Sequence, residues 1–198
     1  MPAIILGKAK EGIPMEYSPK NAVLRDGTPC VLRSPRPEDA EAILDLMKQA
    51  TAETVYLSMY PDEVALTVEE ERTFLESVCA DRQSLMLSAF VDGKPVANAN
   101  LAPVAPGKSK YRHRAGFGIC VLRSHWRRGL GGLLTRELLA QAPSMGYEQV
   151  ELEVDCENAA ARALYESCGF RAYGVLERAF LLRDGTSHDE CRMVCCLS

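Results

Sequence analysis

The chain has 198 residues, 47% of them hydrophobic and 25% charged, with a formal net charge of −4. That is enough for one domain with a sizeable core. No apolar run approaches the roughly 20 residues that span a bilayer, and an acidic pI near 5.5 argues against nucleic-acid binding by bulk charge. Met1 to Leu6 offers only the short apolar run Ile4-Ile5-Leu6, so a secretory signal is not expected and a cytoplasmic location is. The eight cysteines are scattered without CxxC pairs, and the three histidines share no ligand spacing. Reduced core thiols and no metal site are therefore expected.

Residues 1–20 carry Pro2, Gly7, Gly12, Pro14 and Pro19 and read as an irregular arm, leaving 21–198 as the folded domain. Ala22 to Arg25 and Pro29 to Arg33 flank Asp26-Gly27, a hairpin signal. Pro37-Glu38-Asp39-Ala40 opens a helix whose apolar face is Ala42, Ile43, Leu46 and Met47. Thr67 followed by Glu70 is a capping-box pattern for a second helix, about 68–79. A second hairpin, Ser84 to Val91 and Pro95 to Leu101, turns at Asp92-Gly93-Lys94. Pro103 to Ser109 is a loop.

An apolar strand, Ala115 to Leu122, then leads into Trp126-Arg127-Arg128-Gly129-Leu130-Gly131-Gly132 and a helix of about 130–142. A glycine-rich turn between strand and helix leaves backbone N–H groups unpartnered where the helix dipole is positive, which suits a phosphate. Between Lys108 and Arg136 lie eight Lys or Arg and no acid, whereas the rest of the chain holds 15 basic and 27 acidic residues. That local positive field favours an anionic ligand. Val150 to Val154 alternates as a strand, Asn158 caps a helix through Tyr165 that ends at Gly169, and strands at about 173–182 and 189–197 flank Asp184-Gly185. The order predicts a single-domain α/β (α+β) fold with a mixed sheet.

The glycine turn alone does not separate ligands. It lacks the GxxxxGK[ST] of a P-loop. As a dinucleotide fingerprint it has Leu134 where a third glycine belongs, although Glu151 lies about 20 residues on. A second motif, further along the chain, is more specific: Asn158, Ala161, Leu164, Tyr165, Gly169 and Phe170 form N-x-x-A-x-x-L-Y-x-x-x-G-F. Together with the turn, this resembles the GNAT superfamily of acyl-CoA-dependent N-acetyltransferases over about 30–197, most strongly over 115–170. Asp184-Gly185, Asp189-Glu190 and Met193 are similar to the branch containing spermidine and ribosomal-protein N-terminal acetyltransferases.

The resemblance implies a mostly antiparallel twisted sheet flanked by helices, with acetyl-CoA as co-substrate and no metal. It places the coenzyme A pyrophosphate on the backbone of Arg127, Arg128, Gly129, Leu130, Gly131 and Gly132. The pantetheine arm would run along the backbone of Ile119 and Val121, with Asn158 beside it. The family's Q/R-x-x-G-x-G/A begins here with Trp126, a departure that main-chain binding should tolerate. Tyr165, about two helical turns or roughly 10 Å from Asn158, becomes the general acid for the departing thiolate. No carboxylate lies on 115–122, so Glu153, which shares a strand face with Glu151, is the candidate base. Cys120 has no histidine placed to activate it and reads as a buried thiol. The expected acceptor is a small-molecule amine or a peptide N-terminus, attacked directly in a ternary complex. A homodimer through the terminal strands is possible, and a non-catalytic acyl-CoA-binding module is the alternative.

Overall fold

The computed structural model describes residues 17–197, so most of the expected N-terminal arm lies outside the described residues. Eight strands form one sheet: β1 (Lys20–Val23), β2 (Pro29–Arg33), β3 (Leu85–Val91), β4 (Lys94–Pro103), β5 (Arg114–Val121), β6 (Gln149–Asp155), β7 (Arg171–Leu181) and β8 (Ser187–Cys196), in the order β1-β2-β3-β4-β5-β6-β8-β7. Among them only β5 and β6 run parallel. Among the described residues the α-helices are α1 (Ala40–Glu53), α2 (Val68–Ala80), α3 (Leu130–Gln141) and α4 (Ala159–Ser167). The architecture is the expected mixed, mostly antiparallel sheet flanked by helices.

Local chemistry sets the element ends. The first strand begins at Lys20 rather than Ala22, because Lys20 and Asn21 already pair with Leu32 and Val31. Pro37–Asp39 forms a 3-10 turn before α1 starts at Ala40. At α2 the Thr67 side chain accepts from the Glu70 amide while Glu70 accepts from the Thr67 amide, the capping box expected. Asp92 and Gly93 both have positive φ, 50° and 77°, as a two-residue hairpin turn that follows the strand twist requires.

β3 reads Leu-Met-Leu-Ser-Ala-Phe-Val and is buried on both faces. α1 and α2 cover one side, where Met86 joins Ala40, Leu75 and Val78. α3 covers the other with Leu130, Leu134 and Leu138, spaced four residues apart and each no more than 1% exposed. All eight cysteines are free, but only Cys30, Cys120, Cys191 and Cys195 are buried. The expectation of core thiols thus holds for half of them.

One irregularity shapes the centre of the sheet. β5 and β6 pair only at Arg114–Gln149, Ala115–Val150 and Gly116–Glu151. β5 continues to Val121 and β6 to Asp155, so beyond these pairs the two strands part and leave a gap.

Candidate active site

The edge of β5 that faces this gap carries Ile119 and Val121. The Leu122 amide donates to Val96 on β4, and the Arg114 carbonyl accepts from Val104. Alternation then turns the main-chain groups of 114, 116, 118 and 120 toward β4 and those of 117, 119 and 121 toward the gap. The Val121 carbonyl is taken by the indole N–H of Trp126 at 2.7 Å, while its amide faces the same side. Trp126 therefore works as a strap between the strand end and the turn, a role its departure from the family motif did not indicate. The Arg123 guanidinium stands 5.4 Å from its ring centroid.

The turn itself is built from left-handed residues. Arg127 has φ +63° and Gly129 φ +85°, the latter in the α3 N-cap position with no side-chain cap. Leu133 is the first amide to find an intrahelical partner, the Gly129 carbonyl, so the amides of Leu130, Gly131 and Gly132 point out of the helix end. The glycines differ in what they permit. A Cβ at Gly131 would stand 2.8 Å from Leu164 of α4, so that glycine permits close packing of the two helices. At Gly132 it would meet the end of Arg136 at 3.1 Å.

Part of the positive strip is already spent on the fold: Arg114 and Arg128 are ion-paired. Arg114 makes two bonds to Glu151, at 2.5 and 2.7 Å, and holds that carboxyl below the usual range. The Arg123 amide donates to Glu53, and Arg128 pairs with Asp26 of the first hairpin at 3.0 Å. Glu151 is therefore a structural ion-pair partner.

Asn158 accepts from the Ala161 amide at 3.1 Å and caps α4. Two turns on, Tyr165 is 8% exposed and packs edge-on against Phe117 of β5 and Phe170, with centroids at 6.0 and 5.9 Å. Burial raises its phenol above the ordinary range, so it stays protonated. Its hydroxyl has no hydrogen-bond partner among the described residues. The Cys120 thiol lies 3.5 Å from the Met47 sulfur, and burial pushes it up to about 11, which removes it as a nucleophile.

The two faces of the gap are chemically different. Tyr165 meets Phe117 on the α3–α4 side, whereas Glu151 and Glu153 share the face on which Arg114 and Cys120 lie, beneath α1. Glu153 is exposed and sits opposite Arg192 on β8, beyond the last β5–β6 pair. The structure thus places Tyr165 on one face of the sheet, on the helix α4 that Asn158 caps and that meets Gly131 through Leu164, and leaves Glu153 on the other.

Sequence reasoning missed three further elements there. His188 of β8, 6% exposed, shares a 2.6 Å hydrogen bond with Asp155, which raises its pKa, and approaches Glu157 at 3.4 Å. Asp155 also accepts from the Glu157 amide at 2.8 Å, so the pair pins the turn that presents Asn158. Arg183 at the β7–β8 turn clamps Asp62 through two bonds of 2.9 and 2.8 Å, and its guanidinium stacks 3.9 Å over Tyr60. This ties the α1–α2 connection to the hairpin. The third is Arg25, whose stem lies on Gly129.

The profile of the Acetyltransferase (GNAT) family matches residues 41–170, which hold the gap, the glycine turn and Tyr165. The chain belongs to the GNAT acetyltransferase family. This GNAT chain is 32% identical over 109 residues to the L-amino acid N-acetyltransferase AaaT of Escherichia coli (strain K12), a match covering 54% of the chain and 65% of AaaT. It thus spans just under two thirds of that relative's length. Its fold superposes with a TM-score of 0.80 on the acetyltransferase of GNAT family from Streptococcus pneumoniae, at 28% identity over 85% of this chain and 99% of that one. With yncA from Salmonella typhimurium, solved with its cofactor acetyl-CoA, the TM-score is 0.75 at 18% identity, covering 85% and 94%. That last likeness shows the shared GNAT fold.

Proposed function

We propose that this chain transfers the acetyl group of acetyl-coenzyme A to a primary amine by direct attack in a ternary complex. The observation that supports this most is the gap between β5 and β6. A thioester laid along the free edge of β5 would meet the Tyr165 hydroxyl from one face and an amine from the other. yncA carries acetyl-CoA on this fold, and the residues here fit the same group. The uncapped α3 amides suit a diphosphate, and the Ile119 and Val121 amides offer an extended arm the bonds a missing strand would take.

Acetyl-coenzyme A supplies an activated acyl group on a good leaving group. The chain's residues do the rest. An Ile119 or Val121 amide polarises the carbonyl that receives the amine's electron pair. Tyr165, kept neutral by burial, donates its proton toward the departing sulfur. Glu153, exposed on the opposite face, takes the proton the ammonium must lose before it attacks. Asn158 holds α4, and hence Tyr165, against the arm. AaaT acts on L-amino acids by name; here the acceptor is a small-molecule amine or a peptide N-terminus, entering beneath the Arg183–Asp62 clamp.

The test is thiol release from acetyl-CoA across amino acids, polyamines, aminoglycosides and short peptides, with the acetylated amine identified by mass. One of these classes should release thiol in step with acetylated product. No release with any of them, despite coenzyme A binding, would leave a binding module as the function.

A further inference from the structure

The first hairpin closes the sheet edge, and its turn also reaches the head of α3. The Arg25 amide donates to the Arg128 carbonyl at 3.0 Å, and the Asp26 carboxylate pairs with the Arg128 guanidinium at 3.0 Å. The Arg25 side chain lies over Gly129: a Cβ built there would stand 3.2 Å from both its Cγ and its Nε. The stem thus rests on the bare Cα of Gly129, the residue immediately before the outward amides of Leu130, Gly131 and Gly132.

Charge accounting separates the two arginines. Asp26 compensates Arg128, whereas the exposed Arg25 guanidinium has no carboxylate partner among the described residues. The hairpin therefore cancels one cation at the turn and delivers another, uncompensated. Its place is held by a main-chain hydrogen bond, an ion pair and the packing on Gly129. Bringing an unpaired guanidinium to within one residue of Arg128 costs Coulomb energy unless an anion is shared.

We propose that Arg25 is a ligand of the diphosphate of the acyl-coenzyme A, reaching it from outside the strand–turn–helix unit. This rests on the cofactor reading above. Arg25 would grip oxygens of the same diphosphate that the α3 amides hold, as a planar fork suited to two phosphate oxygens.

The test is calorimetric titration of coenzyme A and of dephospho-coenzyme A, which keeps the diphosphate but lacks the 3′-phosphate. Arg25→Gln keeps much of the stem over Gly129 and removes the charge; Arg25→Lys keeps a charge; Lys110→Gln, in the exposed β4–β5 loop at the opposite end of β5 from the glycine turn, controls for net charge. Arg25→Gln should weaken both ligands about tenfold or more, Arg25→Lys by less, and Lys110→Gln not at all. Unchanged affinity in Arg25→Gln would overturn the proposal. So would a loss seen only with coenzyme A, which would move the contact to the 3′-phosphate. Equal losses in both Arg25 variants with lower ligand-free melting would make the residue a structural cover and overturn it too. A wild-type chain that binds no coenzyme A would instead refute the cofactor reading itself.

Discussion

Replacing Tyr165 by phenylalanine separates chemistry from packing. The ring is 8% exposed and wedged between Phe117 and Phe170 at centroid distances of 6.0 and 5.9 Å, and phenylalanine keeps those contacts. The hydroxyl makes no hydrogen bond to a described residue, so its removal orphans no partner. Stability should change by no more than about 0.5 kcal/mol, or about 2 °C in melting temperature for a domain of this size. Turnover should fall by about 10²–10⁴, the usual value of a positioned acid, equivalent to about 3–5 kcal/mol of barrier. The assay is thiol release at saturating acetyl-CoA and amine, paired with a calorimetric dissociation constant for coenzyme A, which should hold. The raised phenol also predicts no alkaline loss of turnover from this residue below about pH 10. Turnover within threefold of wild type would refute the role, as would a loss accompanied by a melting drop of many degrees.

Gly129→Ala places a Cβ at φ +85° and 3.2 Å from the Arg25 stem; a cost of about 1–2 kcal/mol, read as a melting decrease of about 2–8 °C, is expected. A melting temperature at or above wild type would show that the turn relaxes freely. Burial pushes the Glu71 carboxyl up to about 7, so the folded chain holds its proton where the unfolded chain has lost it. Stability therefore falls as pH rises from about 4.5 to 7 and stays lower above. Glu71→Gln should match wild type at pH 4 and exceed it by about 1–3 kcal/mol at pH 8; a gap independent of pH in urea titrations would contradict this. The His188 pKa is raised by Asp155, so its charged-state contribution is complete below about pH 6.5 and is lost as pH climbs through the folded value. His188→Gln should accordingly destabilise more at pH 6 than at pH 9, and equal melting losses at both would dismiss the charged pair.

The residues legible in sequence are those whose meaning is local. Gly129 at a strand-to-helix turn, Thr67 three residues before Glu70, and Asn158 ahead of an alanine-rich helix each signal structure through their neighbours, and each is found in that place. Lys20 and Asn21 were missed because polar residues at a sheet edge break no pattern. Arg25 and Gly129 meet only because the strand order brings the first hairpin beside α3, which no spacing reveals. The same holds for Arg183 with Asp62 and for His188 with Asp155. The positive strip misled in part: counting charges along the chain cannot see Glu151 and Asp26 arriving from elsewhere to pair with Arg114 and Arg128. Glu153 was placed on the correct strand face by alternation alone, whereas the depth of the opening beside it depended on where β5 and β6 stop pairing.

Three residue pairs are all the main-chain ladder that joins the first five strands to the last three. The sheet is thus two slabs sharing a short seam, and the slab of β6, β8 and β7 leans on α3, α4 and the Arg114–Glu151 pair for its alignment. Amide protons of 117–121 on the open side should exchange with solvent far sooner than those facing β4. A ligand threaded beside them would act as a ninth strand made of something other than peptide, stitching the slabs into one cooperative block.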